Sequence, residues 1–71
     1  MHTYDVKFRT TLTAAAQAAR ALSGRFETFA DEAIVSARVD ANSDMEALEK
    51  VHAAVDPLGA PMHEIRVAAS R

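Results

Sequence analysis

Three histidines are the side chains of this 71-residue chain best suited to acid–base or metal chemistry. His2, His52 and His63 stand apart, and we expect none of them to form the i,i+4 pair with a histidine or carboxylate that would resemble a helical metal site. We therefore expect each of them to be a packing or surface residue. The chain has no cysteine, which excludes disulfides and thiolate metal sites.

Motifs for nucleophilic catalysis and phosphate binding are also missing from the sequence. Gly24 and Gly59 are the only glycines, so no glycine-rich loop can cradle a phosphate. The adjacent acids Asp31 and Glu32 could form a general-acid pair, but a solvated turn explains them more simply. The serines have no neighbouring base: Ser23, Ser36, Ser43 and Ser70. We predict that the protein is not an enzyme and uses no cofactor or metal.

Composition and charge narrow the class of protein further. Apolar residues make up 49% of the chain and charged residues 25%, as in ordinary globular domains. The net charge of −2 gives no general attraction to nucleic acid or acidic lipid. No segment approaches the ~20 apolar residues of a membrane span, and the first residues lack a signal-peptide pattern. We expect one soluble, cytoplasmic domain over residues 1–71.

The order of hydrophobic patterns predicts the fold. Tyr4, Val6 and Phe8 alternate with charged residues, which is typical of a half-buried strand. A helical pattern follows over 14–22, then an alternating hairpin, a second helical pattern and a last alternating run. This β-α-β-β-α-β order predicts an α+β fold, specifically a two-layer ferredoxin-like sandwich. Its antiparallel sheet would have the order 4-1-3-2, with two helices on one face.

Local signals predict how these elements begin and end. Gly24 is expected in the left-handed position after the first helix. Ser43 and Glu46 form a capping box, in which each side chain bonds the backbone amide of the other residue. Asp56-Pro57 should end the second helix, because the residue before proline avoids helical geometry. The expected core between sheet and helices consists of Val6, Phe8, Leu22, Phe26, Val35, Val39, Leu48, Val51, Val55, Ile65 and Val67.

The uncovered face of the sheet is the predicted working surface. If Asp31-Glu32 is the hairpin tip, Phe29 lies opposite Ile34 with both side chains in water, unless a twist or bulge turns Phe29 into the core. Five bases and four acids on this face would give it a charge of +1, while the rest of the chain carries −3. The surface is assigned to Lys7, Arg9, Arg25, Phe29, Ile34, Arg38 and Arg66.

An RNA-binding role for this face is not expected. RNA-recognition motifs stack bases on aromatic side chains of the two central strands. The outward positions of those strands hold Lys7, Arg9, Ser36 and Arg38 here, and none is aromatic. Nucleic acid is therefore an unlikely partner.

The order and length of the elements, from Tyr4 to Val67, resemble an ACT domain, a small-molecule-sensing βαββαβ module. That family holds an amino acid near a dimer interface, at a proline-glycine element between the first strand and helix. The segment Arg9-Thr10-Thr11-Leu12-Thr13 occupies this place and contains neither residue. The resemblance implies a possible ligand loop formed by Thr10, Thr11 and Thr13.

Three functional hypotheses follow from these observations. The leading one is a small protein-interaction or regulatory module that binds a protein partner or a second copy of itself, through the open sheet face or an edge strand. The alternative is an ACT-like domain that senses a small molecule such as an amino acid. A third is a phage-type inhibitor of a bacterial defence complex, because many such proteins are short and acidic.

Overall fold

The structure, a computed structural model, describes residues 2–70 and confirms the α+β class. Four strands form one antiparallel sheet in the order β2-β3-β1-β4. The elements along the chain are β1 (His2–Thr11), α1 (Leu12–Ala21), β2 (Arg25–Phe29), β3 (Glu32–Ala41), α2 (Asp44–Val55), a 3₁₀ turn (Asp56–Leu58) and β4 (His63–Ala69).

Both helices pack against the sheet in one apolar core. Val6, Phe8 and Val35 supply the buried side chains of the central strands β1 and β3. Alanines line α1 where it meets them, and their small size lets the helix approach the sheet closely. Helix α2 adds the larger side chains of Val51 and Val55 to this core. The remaining predicted core residues Leu22, Val39, Ile65 and Val67 pack against this cluster and are partly buried.

Two predicted core residues are less buried than expected. Phe26 is 40% exposed, because β2 is an edge strand and one side of the ring remains open to solvent. Leu48 is half-buried and lines a small surface groove with Met45 and Val67. The inner stripe of α2 therefore depends on its valines more than on Leu48.

Helix α1 follows β1 without an intervening loop. The Thr11 hydroxyl accepts a hydrogen bond from the Ala14 amide at 3.3 Å and so caps the helix. At the other end the left-handed residue is Ser23, with φ +54°, and not Gly24 as predicted. The Gly24 amide bonds the Ala19 carbonyl at 2.8 Å, which completes a Schellman-type helix end.

Gly24 is required for a different reason, the close approach of the chain to β3. A Cβ atom on this residue would lie 2.2 Å from the backbone oxygen of Ser36 and 2.8 Å from the Cβ of Ala37. Strand β3 is central in the sheet and has no room to retreat. Only a residue without a side chain fits where β2 begins.

The β2–β3 hairpin turns one residue earlier than predicted. Its two-residue tip is Ala30-Asp31, with Ala30 at φ +56°, and Phe29 pairs with Glu32. The partner of every β2 residue is therefore shifted by two positions along β3 from the expected register. A shift of two keeps each side chain on its expected face, because side chains alternate with period two.

At the start of helix α2, one of the two hydrogen bonds of the predicted capping box is formed. The Ser43 hydroxyl accepts a hydrogen bond from the Glu46 amide at 3.1 Å, as expected. The Glu46 side chain does not return the bond; its carboxylate instead accepts from the Asn42 side-chain amide at 3.3 Å and lies 3.6 Å from Lys50 Nζ. The helix ends at Val55, immediately before Asp56-Pro57, as predicted.

Within residues 2–70, neither helix has the length and apolar character needed to cross a bilayer.

Candidate interaction surface on the open sheet face

Strand alternation places three cations in one line across the open face. Arg25 pairs with Ser36, Ser36 pairs with Lys7, and Lys7 pairs with Arg66, so the four residues cross all four strands. We call this line the cationic row. Its three cations are exposed, and within residues 2–70 none of them takes part in a salt bridge. The next residues along the strands have the opposite character.

An acidic band lies beside the cationic row, toward the hairpin tip. It consists of Glu27, Glu32, Arg9 and Glu64, with a formal charge of −2. Arg9 holds the band together: its Nη2 lies 2.5 Å from Glu32 Oε1 and its Nη1 lies 3.2 Å from Glu64 Oε1. Hydrogen bonds to Glu64 and Glu32 raise the pKa of the Arg9 guanidinium. Arginine is effectively always protonated in proteins, and these two carboxylates favour its charged form further.

A β-bulge in β4 brings Glu64 to Arg9. Lys7 pairs with Arg66 but Arg9 pairs with His63, so β4 contains one extra residue across from Phe8. Glu64 occupies the bulge with φ +51°, a left-handed conformation that costs a residue with a side chain about 1–2 kcal/mol. The carboxylate gains its contact with Arg9 from this arrangement.

The net charge of the face differs from the sequence estimate. The shifted hairpin moves Glu32 from the tip into β3, where its parity puts it on the open face beside Arg9. Five bases now stand against five acids, and the face is formally neutral instead of +1. The charges are sorted in space, since Arg38 and Asp5 pair across strands at 3.4 Å while the cationic row has no carboxylate of its own.

A groove of about 580 Å³ opens at the end of the cationic row. It lies beyond the start of the short strand β2, where the α1–β2 connection borders the sheet. The lining includes Lys7, Ser23, Gly24, Arg25, Ser36 and Arg38. Asp5 also lines the groove but pairs with Arg38, so Lys7 and Arg25 are the cations that could meet a flat or acidic group.

The two apolar residues of the predicted surface are separated by the true register. Phe29 is 62% exposed and pairs with Glu32, so the possibility that it turns into the core is wrong. Ile34 is half-buried and lies between Glu27 on β2 and Arg9 on β1, so it does not face Phe29 as predicted. Phe29 is therefore the exposed aromatic at the edge of this face, and Ile34 is a small apolar centre within the acidic band.

The threonines of the possible ligand loop lie in regular structure. Thr10 is the last covered residue of β1 and is fully buried, and within the described residues its Oγ1 has no hydrogen-bond partner. Thr11 caps α1, and its hydroxyl lies 3.3 Å from that of Thr13 in the first helical turn. The segment is a strand-to-helix junction and not an open loop.

The histidines do not come together in the described part of the chain. His2 stacks edge-on against Tyr4, with ring centroids 6.5 Å apart, and His63 pairs with Arg9 at the bulge. His52 Nδ1 lies 3.4 Å from Asp56 Oδ1, so the prediction that no histidine forms an i,i+4 pair with a carboxylate is wrong. Among residues 2–70, no group of three or more histidine or acidic side chains converges as a metal site would require.

Comparison of this chain with protein-family models, with curated proteins and with solved structures gave no match.

Proposed function

We propose that the protein is a small, non-catalytic protein-interaction module, homodimeric, which works through its open sheet face. The cationic row is the observation that carries this proposal. Like charges directly opposite each other on neighbouring strands destabilise a sheet, and Lys7 and Arg66 form such a pair. A carboxylate supplied by another chain would remove this repulsion.

The residue types of the face support a protein as the partner. Arginine and aromatic residues are enriched at protein interfaces, and they provide most of the residues whose truncation weakens binding strongly. Phe29 is a large aromatic side chain left in solvent on this face, and Arg25 lies four residues before it on the same side of β2. Burial of one such apolar side chain contributes about 1.5–3 kcal/mol.

The strand order supports a more specific fold class as well. Counted from β4, the order β2-β3-β1-β4 is 4-1-3-2, the order of a ferredoxin-like sandwich. In that class one face of the sheet carries the helices, which leaves the other available for a partner. We also place the protein in the cytoplasm, since it has no cysteine that an oxidising compartment could pair.

A matched pair of charge reversals tests the proposal. Arg66→Glu changes the cationic row, whereas Arg20→Glu makes the same change on exposed α1. We expect Arg66→Glu and Phe29→Asp to remove self-association and partner capture, while Arg20→Glu behaves as the wild type. Sedimentation velocity and affinity capture measure both effects, and circular dichroism checks that each variant is folded. Equal losses for Arg66→Glu and Arg20→Glu would contradict the proposal.

An ACT-like sensing role is the alternative, and the buried Thr10 hydroxyl favours it. That hydroxyl lies at the strand-to-helix junction and lacks a hydrogen-bond partner in the described part of the chain, as a group reserved for a ligand would. A thermal-shift screen with the twenty amino acids tests this role. A rise in melting temperature with one of them, lost in Thr10→Val, would support sensing, and no rise with any would reject it.

A further inference from the structure

We infer that two copies associate face to face about a two-fold axis that runs parallel to the cationic row, between that row and the acidic band. This inference rests on the proposed function and specifies the partner, the symmetry and the contacts. It depends on the register of the strands, which fixes where each charge of one copy falls on the other.

The charge pattern of the face is self-complementary about this axis. Rotation by a half-turn exchanges positions on either side of the axis, so the cationic row of one copy lies over the acidic band of the other. On β2 residue 25 meets residue 27, on β3 residue 32 meets residue 38, and on β4 residue 64 meets residue 66. The facing pairs are Glu27 with Arg25, Glu32 with Arg38, and Glu64 with Arg66, and symmetry makes each pair twice.

Other in-plane axes lack this match. An axis parallel to the strands would set the cationic row of one copy against the same row of the other, with three cations on each side. Opposed like charges across an interface cost several kcal/mol. In the inferred arrangement the one like-charged pair is Arg9 over Lys7, and Arg9 already holds two carboxylates. The charges thus select one orientation.

The same rotation gives Phe29 a place to bury its ring. On β2 the rotation carries Phe29 past Arg25 of the other copy to the α1–β2 connection, where Ser23, Gly24 and Arg38 line the groove. The groove volume of about 580 Å³ admits a phenyl ring. Each copy therefore supplies one aromatic anchor and one groove, as an isologous interface requires.

The area of the face indicates a weak dimer. Strands of ten, five, ten and seven residues, which rise about 3.3 Å per residue and lie about 4.8 Å apart, give a flat area of about 500 Å² per copy. About 1,200 Å² in total is the lower limit for stable specific interfaces. Because charge pairs supply much of the contact, the association should weaken as salt is raised.

Two single charge reversals and their mixture test the geometry. Glu27→Arg makes β2 of the face fully basic, with Arg25 beside it, and Arg25→Glu makes it fully acidic. Each variant alone would face its own charge across the axis, so we expect its dimer dissociation constant to rise at least tenfold. The equimolar mixture pairs the basic strand with the acidic one in both halves of the interface. It should form a heterodimer at least as stable as the wild-type dimer.

Sedimentation velocity at about 0.05 M salt, where the screening length exceeds about 10 Å, measures all four samples. Recovery of association in the mixture supports the two-fold arrangement, because contacts within one chain cannot explain it. A wild-type dimer whose mixed variants stay apart would overturn this geometry and leave the face proposal standing, provided that Arg66→Glu still removes self-association. If the wild type is monomeric but captures a partner through the face, the inferred dimer is wrong and the proposal of a protein-binding face stands. A dimer unaffected by Arg66→Glu would overturn both.

Discussion

The two faces of the sheet differ in their side chains and in what determines their arrangement. The covered face uses small and medium apolar side chains, and its central residues Val6, Phe8 and Val35 are at most 1% exposed. The open face carries ten charged side chains in a fixed order along and across the strands. Apolar packing stabilises the covered face, and which of its residues are buried does not depend on the strand register. The charge pattern of the open face depends on the exact strand register.

The largest expected effect on stability comes from comparing substitutions at two adjacent residues of β1, one on each face. Phe8→Ala should lower the free energy of unfolding by about 3–5 kcal/mol, because a fully buried ring leaves a cavity in the core. Lys7→Ala, one residue away on the open face, should change it by less than about 0.5 kcal/mol. Urea denaturation followed by circular dichroism measures both. Equal losses would mean that the open face contributes to folding as the core does.

The junction between the faces, at the start of β2, should be nearly as sensitive. Gly24→Ala is expected to cost about 1–3 kcal/mol, because its Cβ would collide with the Ser36 carbonyl oxygen. Gly59→Ala is the control: apart from its chain neighbours no heavy atom lies within 4 Å of its Cβ position, and only the left-handed φ of +69° is strained. It should cost about 1 kcal/mol. If thermal unfolding ranked the two variants in the reverse order, the close approach of Gly24 to β3 would be in doubt.

One polar residue departs from the character of the covered face. Thr10→Val should raise the free energy of unfolding by about 1 kcal/mol, since it removes a buried hydroxyl that has no partner in the described residues. Thr11→Val should instead lower it by about 1 kcal/mol, because the α1 cap is lost. Denaturant titration of both variants shows whether the signs differ. A destabilised Thr10→Val would indicate that the hydroxyl has a structural partner, such as a buried water.

The smallest effect concerns backbone strain on the open face. Glu64→Gly and Glu64→Ala both remove the contact with Arg9, so their difference isolates the left-handed conformation. The glycine variant should be the more stable by about 0.5–1 kcal/mol, after its greater unfolded-state entropy is subtracted from the relief of strain. Differential scanning calorimetry on the two proteins resolves such a gap. An alanine variant of equal stability would show that the bulge had relaxed.

The sequence predicts the covered face well. For the open face it predicts which residues lie there, but not which residues are neighbours. Alternation in β1 and β3 decides which residues face the helices, and that rule needs no register, so Val6, Phe8 and Val35 are buried as expected. The tip Ala30-Asp31 lacks the glycine or asparagine that usually marks a tight turn, so the predicted register was wrong by two residues. Glu64 carries no sign of a bulge, since such positions usually hold glycine. The charge pattern of the surface depends on both features.

The β4 bulge also affects how a strand from another molecule could pair with this edge of the sheet. Strand β4 forms one of the two edges, where unpaired amide and carbonyl groups could recruit a strand from another molecule. A regular edge is a template for endless growth into fibrils, because each added strand presents the same edge again. The left-handed Glu64 interrupts the regular spacing of those groups, and its carboxylate lies beside the interruption. We therefore expect the residue that completes the acidic band to make this edge a poorer template for strand addition as well.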